Sequence, residues 1–269
     1  RNVGIRSRGH LTRNGVKPGL RIDLNRYLSD QQLLGLTAFA LDNAYTDPSL
    51  MRERLAMTLF NRIGVTAPRE THARLFVNEE YAGVYVIVES IDRAFIANAF
   101  DGDEAHIERG GHLFEYRWVR PYGFEYLGAE LEAYAELFTP QTRQTDSMTG
   151  LFAGVEEMIR TVNDAPDAGF AAAVGQHLDL PSFMRYLAVE NFLAEDDGLV
   201  GMWGLHNLYL YRRRSDGRSQ LIPWSKDTSF STLDHPLDFH LLDNVLTRRA
   251  IAPPELRQIY FDTLMQCAR

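Results

Sequence analysis

The chain has 269 residues, 45% hydrophobic and 11% aromatic, which is enough apolar material for one large domain or two lobes sharing a cleft and too much for a disordered chain. A formal charge of −8 argues against a general nucleic-acid binder, which presents a basic face, although a local basic pocket for phosphates stays open. The longest apolar runs, such as residues 84–88, fall far short of a membrane span.

Cys267 is the single cysteine, which excludes an internal disulfide framework and a cysteine-based zinc cluster. Only Lys17 and Lys226 are lysines, leaving 26 of the 28 basic residues as arginine, so any role that demands an amine has two candidates.

In chain order, Arg1-Asn2-Val3-Gly4-Ile5 reads as the middle of a strand, as though the chain continued upstream. Leu20-Arg21-Ile22-Asp23-Leu24 alternates with the period of a half-buried strand. Asp47-Pro48-Ser49 offers a helix start, residues 50–62 follow, Met51, Leu55, Leu59 and the adjoining Ile63 recur at helical spacing, and Gly64 stops the run. Arg74–Val77 and Tyr81–Glu89 flank Asn78-Glu79-Glu80 as a hairpin, and a second helix is expected over 92–100. Residues 102–111 read as a polar loop, 113–124 as a further hairpin and 130–138 as an acidic helix. The polar stretch 139–148 then serves as the expected boundary between a lobe at 1–140 and another at 141–269. Helices over 151–162 and 180–193, strands over 208–211 and 219–223 and a helix over 254–267 complete an α+β chain with a strand-rich first part and a helix-rich second.

The chemistry concentrates in Glu195-Asp196-Asp197-Gly198, in His206-Asn207 and in Ile222-Pro223-Trp224-Ser225-Lys226-Asp227. Hard-cation chemistry on a phosphate needs oxygen ligands for Mg²⁺ and one further carboxylate to orient or deprotonate a hydroxyl, and these residue types supply both. Spacing alone is met equally by a plain turn capped by Asp196 and Asp197, which is the commoner role for an Asp-Gly pair.

From Gly4 to about Phe230 the chain resembles the spore-coat CotH kinase family, a group of atypical protein kinases. Six segments carry the resemblance. They are Arg8-Gly9-His10-Leu11-Thr12-Arg13, Lys17 with the strand Arg21-Ile22-Asp23-Leu24, Tyr45 through Ala56, and the hairpin Arg74-Leu75-Phe76-Val77-Asn78 with Gly83 through Glu89. His206-Asn207-Leu208-Tyr209-Leu210-Tyr211 and Ile222-Pro223-Trp224 complete the set. The resemblance implies a single domain over 1–269 with a two-lobed, protein-kinase-like fold and ATP bound with Mg²⁺ or Mn²⁺ in the cleft. It also implies a protein partner offering Ser or Thr hydroxyls at a spore coat, cell surface or secreted location.

Carried over by position, Lys17 contacts the phosphates with Arg21 as runner-up, Glu53 pairs with that base, and Arg8 and Arg13 clamp phosphate oxygens. Glu89 and Ile91 sit at the hinge. Asp197 is the catalytic aspartate, Asn207 and Asp227 hold the metal, and His206 buttresses the loop.

The sequence departs from the family pattern in three places. Met202 stands where the family has an asparagine five residues after the catalytic aspartate. The stretch to His206-Asn207 is about two residues longer, and Ser225 replaces the first aspartate of Pro-Trp-Asp-x-Asp. These departures set an active kinase, in which Lys226 partly replaces a cation, against a decayed pseudokinase that acts as a binding or assembly module. A hydrolase built on Asp196, Asp197 and His206 has no recognisable nucleophile motif to support it.

Overall fold

Strands from the first ninety residues pair antiparallel in the order β1-β2-β3-β5-β4, where β1 is Gly4–Arg8, β2 Gly19–Asp23, β3 Ala38–Asp42, β4 Glu70–Val77 and β5 Glu80–Glu89. The structure, a computed structural model, describes residues 2–9, 13, 16–100 and 110–269. Positions 10–12 of the opening motif and nearly all of the polar loop expected at 102–111 lie outside the described residues.

The turn between β4 and β5 is two residues long, because Asn78 and Glu79 both take positive φ (50° and 70°), the combination whose twist matches a right-twisted hairpin. Glu80, expected in the loop, pairs with Val77 instead.

Helix α1 (Arg52–Arg62) starts without a side-chain cap at Met51. Asp47 acts from one turn earlier, accepting from the Arg52 N–H at 2.8 Å and the Ser49 N–H at 2.9 Å. The expected apolar stripe is rotated by about one position: Glu53, Ala56, Met57 and Phe60 are buried, while Met51 and Leu55 are 39% and 48% exposed. A glutamate on the inner face disguised the true stripe. Phe60 meets Tyr186 at 5.2 Å between ring centroids, so α1 joins the main helical core as well as flanking the first sheet.

Helix α2 (Arg93–Ala99) is capped by Asp92, whose carboxylate accepts from the N–H groups of Ala94 and Phe95 at 2.8 and 3.2 Å.

A second antiparallel sheet runs β7-β6-β8-β9, with β6 at His112–Tyr116, β7 at Phe138–Pro140, β8 at Leu208–Arg212 and β9 at Ser219–Pro223. Here three expectations are corrected. Residues 113–124 are not a hairpin: β6 finds its partners in β7 and β8, far along the chain. The acidic helix of 130–138 shrinks to α3 (Glu132–Ala135), because Phe138 and Thr139 are drawn into β7. The stretch 139–148 does not separate the sheets, since it begins within β7, and β6 before it and β8 and β9 after it belong to the same sheet as β7.

The remaining helices are α4 (Met148–Asp164), α5 (Phe170–Val174), α6 (Leu180–Phe192), α7 (Val245–Ala250) and α8 (Pro254–Cys267). Their apolar faces, with Phe114, Phe138 and Leu210 of the second sheet, form the largest core cluster. The chain is α+β, and among the described residues no helix is long and apolar enough to cross a membrane.

Candidate functional site

Helix α6 delivers two carboxylates on which the site is built. Glu190, in its last turn, is 1% exposed, and Glu195, just beyond it, is 2% exposed. The Glu190 carboxylate accepts from the Leu199 N–H at 2.6 Å and pairs with the Lys226 ammonium at 2.7 Å. A Cβ on Gly198 would stand 2.6 Å from both Glu190 oxygens, so the Asp197-Gly198 turn reaches this anchor only because residue 198 has no side chain.

Glu195 accepts from the Asp197 N–H at 3.0 Å, from the Ser229 hydroxyl at 2.6 Å and from the Thr228 hydroxyl. Burial pushes the Glu195 carboxyl above its ordinary value, with Lys226 and the two hydroxyls working against that rise.

On this base Asp197 points outward, its side chain 26% exposed. Nδ2 of Asn207 donates both to the Asp197 carbonyl and to its Oδ2, each at 2.9 Å, and Nδ1 of His206 meets Oδ1. Trp118 packs edge-on against the His206 ring. Asn207 takes a left-handed backbone (φ 49°), which turns its own carbonyl inward to accept from Lys226 at 3.2 Å and from the Trp224 N–H at 3.1 Å. Lys226 is therefore fully buried and committed to Glu190 and Asn207. Burial lowers its pKa, and the carboxylates of Glu190 and Glu195 more than offset that, so it stays charged. This corrects the expectation that Lys226 replaces a cation beside Asp227.

One residue further on, Asp227 leaves this buried anchor and faces the first sheet. Its Oδ1 accepts from Ser225 at 3.3 Å and its Oδ2 from the hydroxyl of Thr46. Asp227, Asp42, Glu53 and Glu70 form one electrostatic group, with Arg8 against them. Burial and mutual repulsion push the Glu53 and Glu70 carboxyls well above their ordinary values, and burial also raises Asp42. Both oxygens of Glu70 are buried without a hydrogen-bond partner. Arg8 lies 4.0 Å from Asp42 and stacks on the Trp224 ring at 4.4 Å. Trp224 in turn packs on Ala40, Val86 and Val88 of the first sheet and on Tyr209 of the second.

The expected Lys17–Glu53 pair is not formed. The Lys17 ammonium donates to the Asn43 carbonyl at 3.0 Å and lies over the Tyr85 ring at 4.8 Å. Desolvation lowers its pKa, with Asp42 partly compensating. Arg8 is the cation that the Glu53 carboxylate feels. Arg21 lies on the same face of the first sheet as Arg8 and Ala40, and its charge, beside that of Arg8, is felt by Glu115 and Tyr209. Glu89, placed at the hinge, forms a two-pronged ion pair with Arg69 at 2.7 and 2.9 Å. Arg13 is exposed, and Met202 is 65% exposed in a loop where Asn207, not residue 202, supplies the amide that holds Asp197.

Sequence reasoning passed over Glu190, Glu70 and Thr46. The signal for Glu190 was available, a lone carboxylate directly after the apolar run Tyr186-Leu187-Ala188-Val189 on a helix.

A divalent cation suits the acidic group around Asp227, where both Glu70 oxygens lack a hydrogen-bond partner and four carboxyl groups crowd together against Arg8 and Arg54. Among the described residues no three acidic, histidine or cysteine side chains stand together as a ready metal shell. Mg²⁺ is ordinarily held by one or two protein carboxylates with the remaining positions filled by water and phosphate oxygens, so this donor set fits it.

A buried ion-pair anchor, an aspartate loop locked by an asparagine and a second carboxylate at the junction of two sheets make up the candidate site of this α+β chain. The family description "CotH kinase protein" matches residues 5–269, and the chain belongs to that family. It is similar to inner spore coat protein H of Bacillus subtilis (strain 168), with 27% identity over 266 residues, 96% of this chain and 69% of that protein. A shorter similarity, 38% over 61 residues, links it to an inner spore coat protein H-like protein of the same organism, covering 23% of this chain and 20% of that one.

Proposed function

We propose that this chain is an atypical protein kinase, with a kinase-like division of labour between its two sheet regions, that transfers the γ-phosphoryl group of ATP to Ser or Thr hydroxyls of a coat, surface or secreted protein. The observation that carries the reading is the Asp197 constellation. One carboxylate is outward-facing yet fixed at Oδ2 by Asn207 and at Oδ1 by His206, and its loop is bolted through Asn207 and Lys226 to the segment that bears Asp227.

In this reading Asp197 accepts the proton of the acceptor hydroxyl, which reaches it past the exposed Met202 and Trp203 of the same loop. Asp227 and the Oδ1 of Asn207 are the metal-binding atoms. Arg8 is the phosphate-facing cation, with Lys17 and Arg21 at the edges, and Glu53 sets the charge balance that Arg8 answers. With ATP as phosphoryl donor, Mg²⁺ or Mn²⁺ held by Asp227 and Asn207 would neutralise phosphate charge. Paired cations in a partly dry site act on a polyanion far more strongly than they would in water.

Ser225, standing where the family pattern has an aspartate, favours a second reading in which the chain is a decayed kinase that binds or assembles without transfer. Thermal shift with ATP, with and without Mg²⁺ or Mn²⁺, followed by incubation with labelled ATP, separates the two readings. Metal-dependent stabilisation with transfer supports the kinase, and stabilisation without transfer supports the binding module. No shift with any nucleotide and metal in a folded sample rules out the kinase reading.

A further inference from the structure

Thr46 belongs to no chemical motif in the sequence, yet its hydroxyl donates to Oδ2 of Asp227 from 181 positions away. The segment that presents it is fixed on both sides. Before it, Asn43 and Lys17 exchange hydrogen bonds (Asn43 Nδ2 to the Lys17 carbonyl at 2.8 Å, Lys17 Nζ to the Asn43 carbonyl at 3.0 Å). Ala44 holds a left-handed conformation (φ 49°), with its N–H on Asp42 at 2.7 Å. After it, the Asp47 N–H closes a turn onto the Ala44 carbonyl at 3.1 Å, and the Asp47 carboxylate fastens the segment to the first N–H of α1.

Thr46 is itself exposed, so water would satisfy its hydroxyl as well as Asp227 does, and the bond adds little to folding stability. Its consequence lies on the other partner. A carboxylate oxygen that accepts one hydroxyl keeps a second lone pair, and such a bond fixes the plane in which that lone pair points. Hydrogen bonds of this kind to a metal-binding carboxylate hold it in its ligating orientation, and their loss commonly costs ~10–100-fold in metal affinity.

We propose that Thr46 is a positioning residue for cation binding at Asp227, and that it ties the occupancy of that carboxylate to the backbone segment carrying Lys17's partner Asn43 and leading into α1. The assignment rests on the reading of Asp227 as a metal-binding carboxylate. Ser225 acts on the other oxygen at the longer distance of 3.3 Å and cannot substitute for it.

The test is a titration of the intact chain with Mn²⁺ alone, counting free Mn²⁺ by electron paramagnetic resonance. It compares the unaltered protein with Thr46→Val, Thr46→Ser and Asp227→Asn, and records the metal-free melting midpoint of each. The expected result is a roughly tenfold or greater weakening in Thr46→Val, recovery in Thr46→Ser, and unchanged metal-free melting in both. Equal or tighter Mn²⁺ binding by Thr46→Val overturns the assignment while leaving Asp227 as ligand, provided that Asp227→Asn loses binding. Weaker binding accompanied by lower metal-free melting in both Thr46 variants would make Thr46 a structural residue and also overturns it. If the unaltered protein and Asp227→Asn both fail to take up Mn²⁺, the functional reading falls and the assignment falls with it.

Discussion

Glu53 is 5% exposed on the inner face of α1, and its charged neighbours are Glu70, Asp42 and Asp227, offset by Arg8. An acid whose folded pKa is raised binds its proton more tightly in the folded state than in the unfolded one. Stability from such a group is therefore greatest near the ordinary carboxylate range and declines as pH rises through the elevated values. Glu53→Gln removes one of these like charges, so it should melt above the unaltered protein at about pH 8, with the gap closing towards about pH 5. A melting series across that interval checks this, and a variant less stable at every pH contradicts it. At the same scale, Ser225→Asp restores the family pattern beside Asp227 and should tighten Mg²⁺-dependent nucleotide binding, measured by calorimetry. Glu53 and Asp227 were legible as chemistry because family spacing singled them out. Glu70 was not, since in a strand it alternates like any surface residue, and Thr46 was not, because its partner is non-local.

The anchor between α6 and the segment after β9 is the element on which the Asp197 loop depends. Lys226 and Glu190 are both buried, so removing one partner strands the other's charge without water. Lys226→Met should cost about 3–5 kcal/mol in a denaturant melt, while Lys226→Met combined with Glu190→Gln should cost much less. Gly198→Ala drives a methyl group against the Glu190 carboxylate. It should lower stability by about 1–3 kcal/mol and impair transfer disproportionately, because it displaces the turn that bears Asp197.

The sequence yielded elements held by local signals, such as the Asn78-Glu79 hairpin, α2 behind its Asp92 cap and α8 from Pro254 to Cys267. It misread elements decided by distant partners. Residues 117–124 contain Pro121 and Gly123 and look like the second half of a hairpin, but β6 pairs with Phe138–Pro140 and Leu208–Arg212 instead.

At the scale of the whole molecule, the first sheet and the second meet at Trp224, which packs on Val86 and Val88 from one and Tyr209 from the other and carries Arg8 on its face. The strand that ends at this junction releases Lys226 inward and Asp227 outward, so a single short segment couples the buried anchor to the acidic group beside Thr46 and Glu53. In the proposed kinase reading, this arrangement assigns Asp197 and Asp227 different jobs, one on the acceptor hydroxyl and one on the metal.

The most direct test of that division measures, on one preparation each of Asp197→Asn and Asp227→Asn, both the calorimetric affinity for Mg²⁺ and ATP and the rate of phosphoryl transfer from labelled ATP. Asp197→Asn should bind with nearly unaltered affinity and transfer nothing, whereas Asp227→Asn should lose metal-dependent binding itself. Transfer that survives in Asp197→Asn, or binding that survives intact in Asp227→Asn, would contradict the assignment of these two carboxylates.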